Sequence, residues 1–278
     1  MSPFALIALT SGVVVQRVYA RELLVWCGSV AWGARPSFFV RRGGSSFSNG
    51  TARVAAYPWL VSPAALPGGV ASSPMASVLL LHSALGLRPA VHALVDHLHG
   101  AGHEIIAPDL LEGRTFAGGD AGYAEAVAHM RQHKAAIEER AGTAYASMSG
   151  PRVVLGFSMG AGIAQEFAQT RPEVVGAILC GGGGFFDGWT PDSWRPDVPL
   201  ALHHAVEDPW ADPVEARLLV DIAARAGADV SHYVYPGNGH LFFDLGLPEE
   251  YDSVLADLLA TRLLGFLSRF AQLPDGTS

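Results

Sequence analysis

The sequence predicts an α/β fold in which a mainly parallel, doubly wound sheet of about six or more strands carries helices on both faces. From residue 75 onward, apolar stretches of strand length alternate with longer stretches of helical spacing. The strand-like stretches are mostly continuous apolar runs, which is typical of parallel strands covered on both faces. Repeated strand–helix–strand units connect in a right-handed sense, and such units build this layered sheet.

The strands and helices are expected to alternate through a domain covering residues 75–272. The predicted strands are 77–82, 103–107, 152–156, 174–180, 199–206 and 230–235. The predicted helices are about 88–101, 121–141, 160–171, 212–227 and 249–271. One-sided apolar spacing predicts the buried face of the first helix at Val91, Leu94, Val95 and Leu98. The same spacing predicts the buried face of the fourth helix at Val214, Leu218, Leu219 and Ile222.

Composition limits the kind of protein this chain can be. With 278 residues, of which 50% are hydrophobic, it can bury a large core in one domain, or in one domain plus an appendage. The net charge of −8 argues against nucleic acid as a partner, and no apolar run is long enough to span a bilayer. We therefore expect a cytoplasmic protein that acts on a small molecule, with its oligomeric state left open.

Residues 1–74 differ from the rest of the chain in charge and pattern. They carry six arginines and one glutamate, a net charge of +5, whereas the remaining residues carry −13. Helical or strand periodicity does not persist in them, and Met75 opens directly into the first predicted strand. We interpret 1–74 as a non-native or disordered extension, with a targeting peptide as the alternative. Residues 273–278 are expected to be a frayed tail.

Residues 153–162 contain the motif G-x-S-x-G, with Ser158 at its centre. An apolar strand precedes the motif and a helix-forming stretch follows it, so the serine is expected on a sharp strand-to-helix turn. Gly156 and Gly160 remove side chains that would collide where the backbone folds back on itself. Such a turn exposes the serine hydroxyl as a nucleophile and points the Met159 N–H to where an oxyanion would form.

A serine hydroxyl needs a base to take its proton and an acid to orient that base. Asp208 follows the fifth predicted strand, and His240 follows the sixth. The chain order Ser158, Asp208, His240 is the one found in α/β-hydrolases, so it predicts that fold and a catalytic triad. Glu207 and Asp212 remain rival acids, because each lies close to the same strand end.

A second oxyanion donor is expected in the turn that follows the first strand. This turn lies in residues 82–86, and we assign the donor to the Ala84 N–H. The alternative is an ordinary strand-end turn in which His82 is simply hydrogen-bonded.

Two long connections, residues 109–122 and 181–198, are expected at the carboxyl edge of the sheet, where open parallel sheets bind their ligands. The second begins with four glycines and continues with aromatic residues. These aromatic side chains either line an apolar substrate pocket or form a small satellite core. The residues predicted to contact substrate are Ser83, Phe185, Phe186, Trp189 and Trp210.

Neither cysteine nor histidine spacing predicts a metal site. The two cysteines, Cys27 and Cys180, form no disulfide framework and no zinc pattern, and Cys180 is expected to be a small core residue. Two histidine pairs lack the carboxylate spacing of a metal motif, and we interpret them as surface or packed residues. They are His97 with His99, and His203 with His204.

Several stretches of the chain share motifs with a known family. They are residues 79–87, 101–109, 156–160 and 237–240, together with Asp208. On these stretches, residues 77–270 resemble the dienelactone hydrolase family of α/β-hydrolases. The resemblance implies an eight-stranded hydrolase sheet or a trimmed version of it. It also implies hydrolysis of an ester, typically a small lactone, without a cofactor.

This chain departs from the best-known members of that family at three positions. Those members use a cysteine nucleophile where this chain has Ser158, and a glutamate beside the thiol where it has Ser83. They also carry an arginine that holds the substrate carboxylate where this chain has Asp244. An acidic group there is expected to repel an anionic lactone by about a kcal/mol or more, which puts the dienelactone itself in doubt as the substrate.

The sequence therefore predicts a cofactor-independent serine hydrolase that cleaves a small ester or lactone through an acyl-enzyme. A non-catalytic member of the same fold, which would bind a small hydrophobic ligand, is the rival from another class. A thioesterase or a perhydrolase on the same triad is a further alternative.

Overall fold

The structure, a computed structural model, describes residues 76–184 and 193–270. The predicted N-terminal extension and the predicted frayed tail lie outside these residues. The described strands are β1 Ser77–Leu81, β2 Glu104–Ile106, β3 Arg152–Phe157, β4 Val174–Cys180, β5 Leu200–Ala205 and β6 Val230–Tyr235. The described helices are α1 Pro89–Gly100, α2 Gly119–Gln132, α3 Lys134–Ser147, α4 Met159–Thr170, α5 Pro213–Ala226 and α6 Ser253–Leu267. A 3₁₀ turn, Ser268–Phe270, follows α6.

The described strands form one sheet in the order β2-β1-β3-β4-β5-β6, and every neighbouring pair is parallel. All residues of β3 are buried, as expected for a central strand with helices on both sides. This arrangement confirms the predicted doubly wound parallel sheet.

The carboxyl ends of the central strands meet at one edge of the sheet. Leu81 at the end of β1 pairs with Gly156 near the end of β3. Phe157 at the end of β3 pairs with Cys180 at the end of β4. On the far side, Ala205 pairs with Tyr235, so β5 and β6 end level with each other. Residues that follow these strands are therefore brought to a common edge.

The single helix predicted at 121–141 is wrong, because the structure has two helices there. The break lies at His133, whose φ of −113° and ψ of 17° are not helical. Val127 of α2 and Ile137 of α3 are both buried. In one straight helix, ten residues of separation would place these two side chains about 80° apart around the axis. The break lets both helices turn an apolar face to the core.

Helix α5 is capped as its sequence suggests. The Asp212 carboxylate accepts a hydrogen bond of 2.7 Å from the Val214 N–H, and Pro213 occupies the first turn. At the other end, Gly227 adopts a left-handed conformation with φ of 93°. Asp212 is therefore used as a helix cap.

The buried face predicted for α5 is wrong for two of its residues. Leu219 is fully buried, but Val214 is 72% exposed and Leu218 is 40% exposed. The face that packs on the sheet instead combines Leu219 with the small residues Ala216 and Ala223. Alanine allows the helix to approach the sheet closely, and hydrophobicity alone does not reveal this preference.

Two buried histidines of β5 point to opposite faces of the sheet. His203 Nδ1 lies 2.9 Å from the Tyr235 hydroxyl, and His204 Nε2 lies 2.8 Å from His232 Nε2. Both are packed histidines, which is one of the two possibilities that the sequence left open, surface or packed. Within residues 76–184 and 193–270, no group of three or more His, Cys, Asp or Glu side chains is arranged to hold a metal ion. The same residues include no helix with the length and apolar character needed to cross a membrane.

The adjacent leucines of α5 provide a test of this packing. We expect Leu219→Ala to lower the free energy of unfolding by about 2–5 kcal/mol, because it leaves a cavity in the core. The matched change Leu218→Ala should cost less than about 1 kcal/mol, because that side chain is partly solvated already. Urea unfolding of both variants measures the difference, and equal losses would contradict the observed helix orientation.

The buried His203 predicts a pH dependence of stability. Burial lowers its pKa from 6.5 to about 3. Between these values the unfolded chain binds a proton that the folded chain does not, so the free energy of unfolding falls as the pH falls. One such histidine contributes a slope of about 1.4 kcal/mol per pH unit.

Between pH 6.5 and 5, we expect His203→Gln to reduce the slope of the free energy of unfolding against pH by about 1.4 kcal/mol per pH unit. Urea unfolding at several pH values measures this slope. The same substitution at the exposed His92 controls for the loss of a surface imidazole. A wild-type slope in His203→Gln would show that this histidine is not kept neutral by the fold.

Candidate active site

Ser158 lies on the sharp turn between β3 and α4. Its φ of 53° and ψ of −113° are strained for a residue with a side chain. Its N–H donates to the Cys180 carbonyl at 2.8 Å, and its own carbonyl accepts the Ala161 N–H at 2.9 Å. These bonds hold the backbone in its strained conformation, and the half-buried Ser158 sits at the carboxyl edge of the sheet.

The glycines of the motif lie where backbone segments touch. A Cβ on Gly156 would lie 2.1 Å from the Gly160 carbonyl oxygen, and a Cβ on Gly160 would lie 2.2 Å from the Leu81 carbonyl oxygen. Real Cβ atoms do not approach so closely, and backbone atoms cannot swing aside. The first turn of α4 is thereby packed directly against the end of β1, as the motif predicts.

Asp208 and His240 form a hydrogen-bonded pair. His240 Nδ1 lies 2.8 Å from Asp208 Oδ2 and 2.9 Å from Oδ1. The two side chains are 2% and 0% exposed. A carboxylate accepts hydrogen bonds, so we assign the proton to Nδ1, which leaves the lone pair on Nε2. The imidazole can then act as a base through Nε2.

The structure places Asp208, and neither of the rival acids, in hydrogen-bond contact with the imidazole. Glu207 is exposed, and Asp212 caps α5, so neither orients the imidazole. Asp208 is further held by the Trp210 N–H, which donates to its Oδ1 at 2.8 Å. The carboxylate therefore has a fixed orientation toward His240.

The loop after β4 contacts both His240 and Ser158. A Cβ on Gly181 would lie 3.1 Å from His240 Cε1, and a Cβ on Gly182 would lie 2.9 Å from the Ser158 carbonyl oxygen. Two consecutive glycines thus bring the imidazole and the serine turn to the same place. Within the described residues, no hydrogen bond joins the Ser158 hydroxyl to the imidazole. Catalytic hydrogen bonds of this kind often tighten only when substrate is bound.

The turn after β1 is held by His82. This fully buried side chain places Nδ1 2.7 Å from the Ser83 carbonyl oxygen, and its Nε2 accepts the Leu110 N–H at 2.9 Å. Burial is the main cause that lowers the pKa of His82, so the ring is neutral with its proton on Nδ1. In a trans peptide the N–H points opposite to the carbonyl. Fixing the Ser83 carbonyl therefore fixes the direction of the Ala84 N–H.

The two predicted oxyanion donors lie on neighbouring elements. Met159 begins α4, where the first N–H groups of a helix have no acceptor within it. Ala84 lies just beyond β1, against which Gly160 packs. The Ser83 hydroxyl accepts the Leu85 N–H at 3.2 Å, so it supports the turn itself. Its predicted role as a substrate contact stays a prediction.

Trp210 is the predicted aromatic contact that the structure places beside the histidine. Its ring stacks on Tyr123, with centroids 4.9 Å apart, and lies 6.4 Å from the His240 ring. Tyr123 meets His240 edge-on at 5.9 Å. The sequence did not single out Tyr123, because nothing local distinguishes it from other buried residues of α2. The other predicted contacts, Phe185, Phe186 and Trp189, lie outside the described residues.

Asp244 does not carry the free negative charge expected from the sequence. It is 2% exposed, and its Oδ2 lies 2.5 Å from Arg88 Nε. Arg88 also donates through Nη1 to the Phe116 carbonyl at 2.8 Å. Because the guanidinium compensates the carboxylate, the expected repulsion of an anionic substrate loses its basis.

Comparisons with known proteins identify relatives of the chain. A family model described as the dienelactone hydrolase family matches residues 64–271. None of the curated proteins compared with the chain matches it.

Solved structures share the fold. A dienelactone-hydrolase-like promiscuous phosphotriesterase from metagenomic libraries is 18% identical with a TM-score of 0.60, over 72% of this chain and 89% of that one. A candidate dienelactone hydrolase from Klebsiella pneumoniae is 17% identical with a TM-score of 0.52, over 73% and 90%. A thermostable carboxyl esterase from Bacillus coagulans is 15% identical with a TM-score of 0.50, over 73% and 92%. These likenesses confirm the predicted α/β-hydrolase fold.

The contact between Gly160 and β1 can be tested by adding one methyl group. We expect Gly160→Ala to lower the free energy of unfolding by about 1–3 kcal/mol, because the Cβ would collide with backbone oxygens. Gly142 in α3 is the matched control, since a Cβ there would meet nothing within 4 Å. Gly142→Ala should leave stability unchanged or raise it by up to about 1 kcal/mol. Urea unfolding measures both, and a neutral Gly160→Ala would contradict the close packing.

Proposed function

We propose a mechanism and a substrate class from one premise: the chain belongs to the dienelactone hydrolase family and is a hydrolase that acts on ester bonds. The proposal is a cofactor-independent serine hydrolase that cleaves a small ester or lactone, with Ser158, His240 and Asp208 as its triad. The observation that carries it is the buried Asp208–His240 hydrogen bond beside the strained turn of Ser158. A cytoplasmic location stays part of the proposal.

The first half of the reaction forms an acyl-enzyme. Ser158 Oγ attacks the carbonyl carbon while His240 Nε2 takes the hydroxyl proton. The carbonyl oxygen becomes an oxyanion, which the N–H groups of Met159 and Ala84 stabilise. The intermediate then collapses, the bond to the leaving oxygen breaks, and the imidazolium returns its proton to the departing alkoxide. In a lactone this alkoxide stays attached to the acyl group.

The second half releases the acid. Water attacks the acyl carbon and gives a proton to His240 Nε2, and the same oxyanion donors act again. The bond to Ser158 Oγ breaks, and the imidazolium protonates the serine oxygen as it leaves. The carboxylic acid departs, and the enzyme returns to its starting state without any redox change.

Asp208 contributes through the hydrogen bond that it accepts from His240. This bond keeps the proton on Nδ1, so that Nε2 carries the lone pair that faces the reaction. When the imidazole becomes charged, the buried carboxylate stabilises it more strongly than it would in water. The Trp210 N–H keeps the carboxylate oriented through the cycle.

The surroundings of His240 support a small substrate with an apolar part. Trp210 and Tyr123 place aromatic rings beside the imidazole. Because Arg88 compensates the charge of Asp244, an anionic lactone belongs in the substrate panel together with neutral esters.

Replacement of the nucleophile tests the proposal. We expect Ser158→Ala to lower kcat for short-chain p-nitrophenyl esters and lactones by ~10³-fold or more, since no covalent intermediate can form. A fluorophosphonate probe should add to Ser158 in the wild type, detected by mass spectrometry of the modified peptide. Ser147→Ala is the matched control, because that exposed hydroxyl donates only to the Ala144 carbonyl.

The same experiment separates the alternatives. Equal rates for wild type and Ser158→Ala would refute the mechanism. A folded wild-type protein that takes up no probe and hydrolyses nothing would indicate the ligand-binding alternative. Preferential turnover of thioesters, or of peroxide in place of water, would keep the triad and change the substrate class.

A further inference from the structure

The Glu250 side chain connects the backbone beside His240 to helix α2. Its Oε2 accepts the Leu241 N–H at 2.8 Å, and Leu241 directly follows the histidine. The Tyr123 hydroxyl donates to the same carboxylate, 2.9 Å from Oε1 and 3.1 Å from Oε2. Glu250 lies 127 residues beyond Tyr123 in sequence, so one acidic side chain joins helix α2 to the loop that carries His240.

Glu250 also restrains the backbone on the other side of His240. A Cβ on Gly239 would lie 2.5 Å from the Glu250 carbonyl oxygen, so the two backbones are in direct contact. This loop has little stiffness of its own, because Gly237 has a φ of 91° and Gly239 lacks a side chain. Contacts with Glu250 on both sides supply the missing rigidity.

Tyr123 completes a closed set of contacts around the imidazole of His240. Its ring stacks on Trp210, whose backbone N–H donates to Asp208, and Asp208 accepts a hydrogen bond from the N–H of His240 Nδ1. Glu250 closes this set through Leu241. Burial, reinforced by the Glu250 carboxylate, raises the pKa of the Tyr123 phenol well above its usual range. The phenol therefore stays neutral and keeps donating to the carboxylate.

From these contacts we infer that Glu250 is a positioning residue for His240. Resting on the proposed function, the inference is that Glu250 fixes where Nε2 lies relative to the Ser158 hydroxyl. A hydrogen bond from an N–H to a carboxylate is among the stronger bonds available to a loop. A general base displaced by about 1 Å can lose ~10²-fold in rate, so this restraint has a measurable consequence.

The decisive comparison uses two Tyr–Glu hydrogen bonds in the same protein. In the control pair, the Tyr145 hydroxyl donates to Glu173 at 2.9 Å. Tyr145 lies in α3, and Glu173 directly precedes β4. We expect Glu250→Ala to lower kcat and the rate of fluorophosphonate labelling by about 10–100-fold, with KM within about twofold. Glu173→Ala should leave all three at wild-type values. Glu250→Gln should recover most of the rate, because the amide oxygen can still accept the Leu241 N–H.

A second pair of variants separates the two hydrogen bonds of Glu250, the one from Tyr123 and the one from Leu241. Tyr123→Phe removes only the hydroxyl that reaches Glu250, and Tyr145→Phe removes its counterpart. We expect Tyr123→Phe to lower kcat by less than Glu250→Ala, because the bond to Leu241 remains. Tyr145→Phe should not change kcat.

An NMR measurement keeps the inference testable without turnover. The Nδ1 proton of His240, held by Asp208, should give a downfield resonance in the wild type. It should broaden or shift in Glu250→Ala and stay unchanged in Glu173→Ala. A wild-type kcat together with an unchanged resonance in Glu250→Ala would overturn the inference. A wild type that shows this resonance but takes up no probe at Ser158 would instead overturn the proposed function and leave the positioning role standing.

Discussion

The close approach of three backbone segments at Gly156 and Gly160 is the constraint on which the rest of the site depends. The first turn of α4 packs against the end of β1 with no room for a Cβ at either glycine. This packing forces Ser158 into a positive φ and carries its hydroxyl out of the sheet. It also brings the start of α4 against the turn that contains Ala84. Ser158 and Met159 are thus placed by close backbone packing, whereas the turn that contains Ala84 is also held by the His82 and Ser83 side chains.

Asp208 and His240 depend on a different kind of restraint. They follow β5 and β6, which end level at the sheet edge, and they lie on the loops after these strands. Their position comes from hydrogen bonds: the Trp210 N–H on the carboxylate and the Leu241 N–H on Glu250. A strained turn held by packing therefore lies near an imidazole held by polar contacts. A substitution in the loop can disturb these polar contacts and leave the packing at Gly156 and Gly160 intact.

The sequence predicts the parts of this arrangement that local pattern encodes. All six described strands were predicted, because continuous apolar runs bounded by turn residues are a strong signal. Local pattern also indicates Ser158, Asp208 and His240, because each of them follows a predicted strand. The face of α5 was mispredicted at Leu218, because periodicity does not show whether alanine or leucine packs on the sheet. The partners Tyr123 and Glu250 lie 127 residues apart, and no short-range pattern joins them.

The ion pair of Arg88 and Asp244 is a second long-range contact between segments at this edge of the sheet. Arg88 directly precedes α1, two residues beyond the turn at 82–86, and Asp244 lies four residues beyond His240. Their contact therefore ties the segment after β1 to the loop that carries His240. A buried ion pair adds little net stability compared with apolar packing, because both charges lose their hydration. Loss of one partner costs far more, since it strands the other charge. Pairing of this kind favours one arrangement of the two loops over every arrangement that separates them, and the proposed proton transfer from Ser158 to His240 depends on such a fixed arrangement.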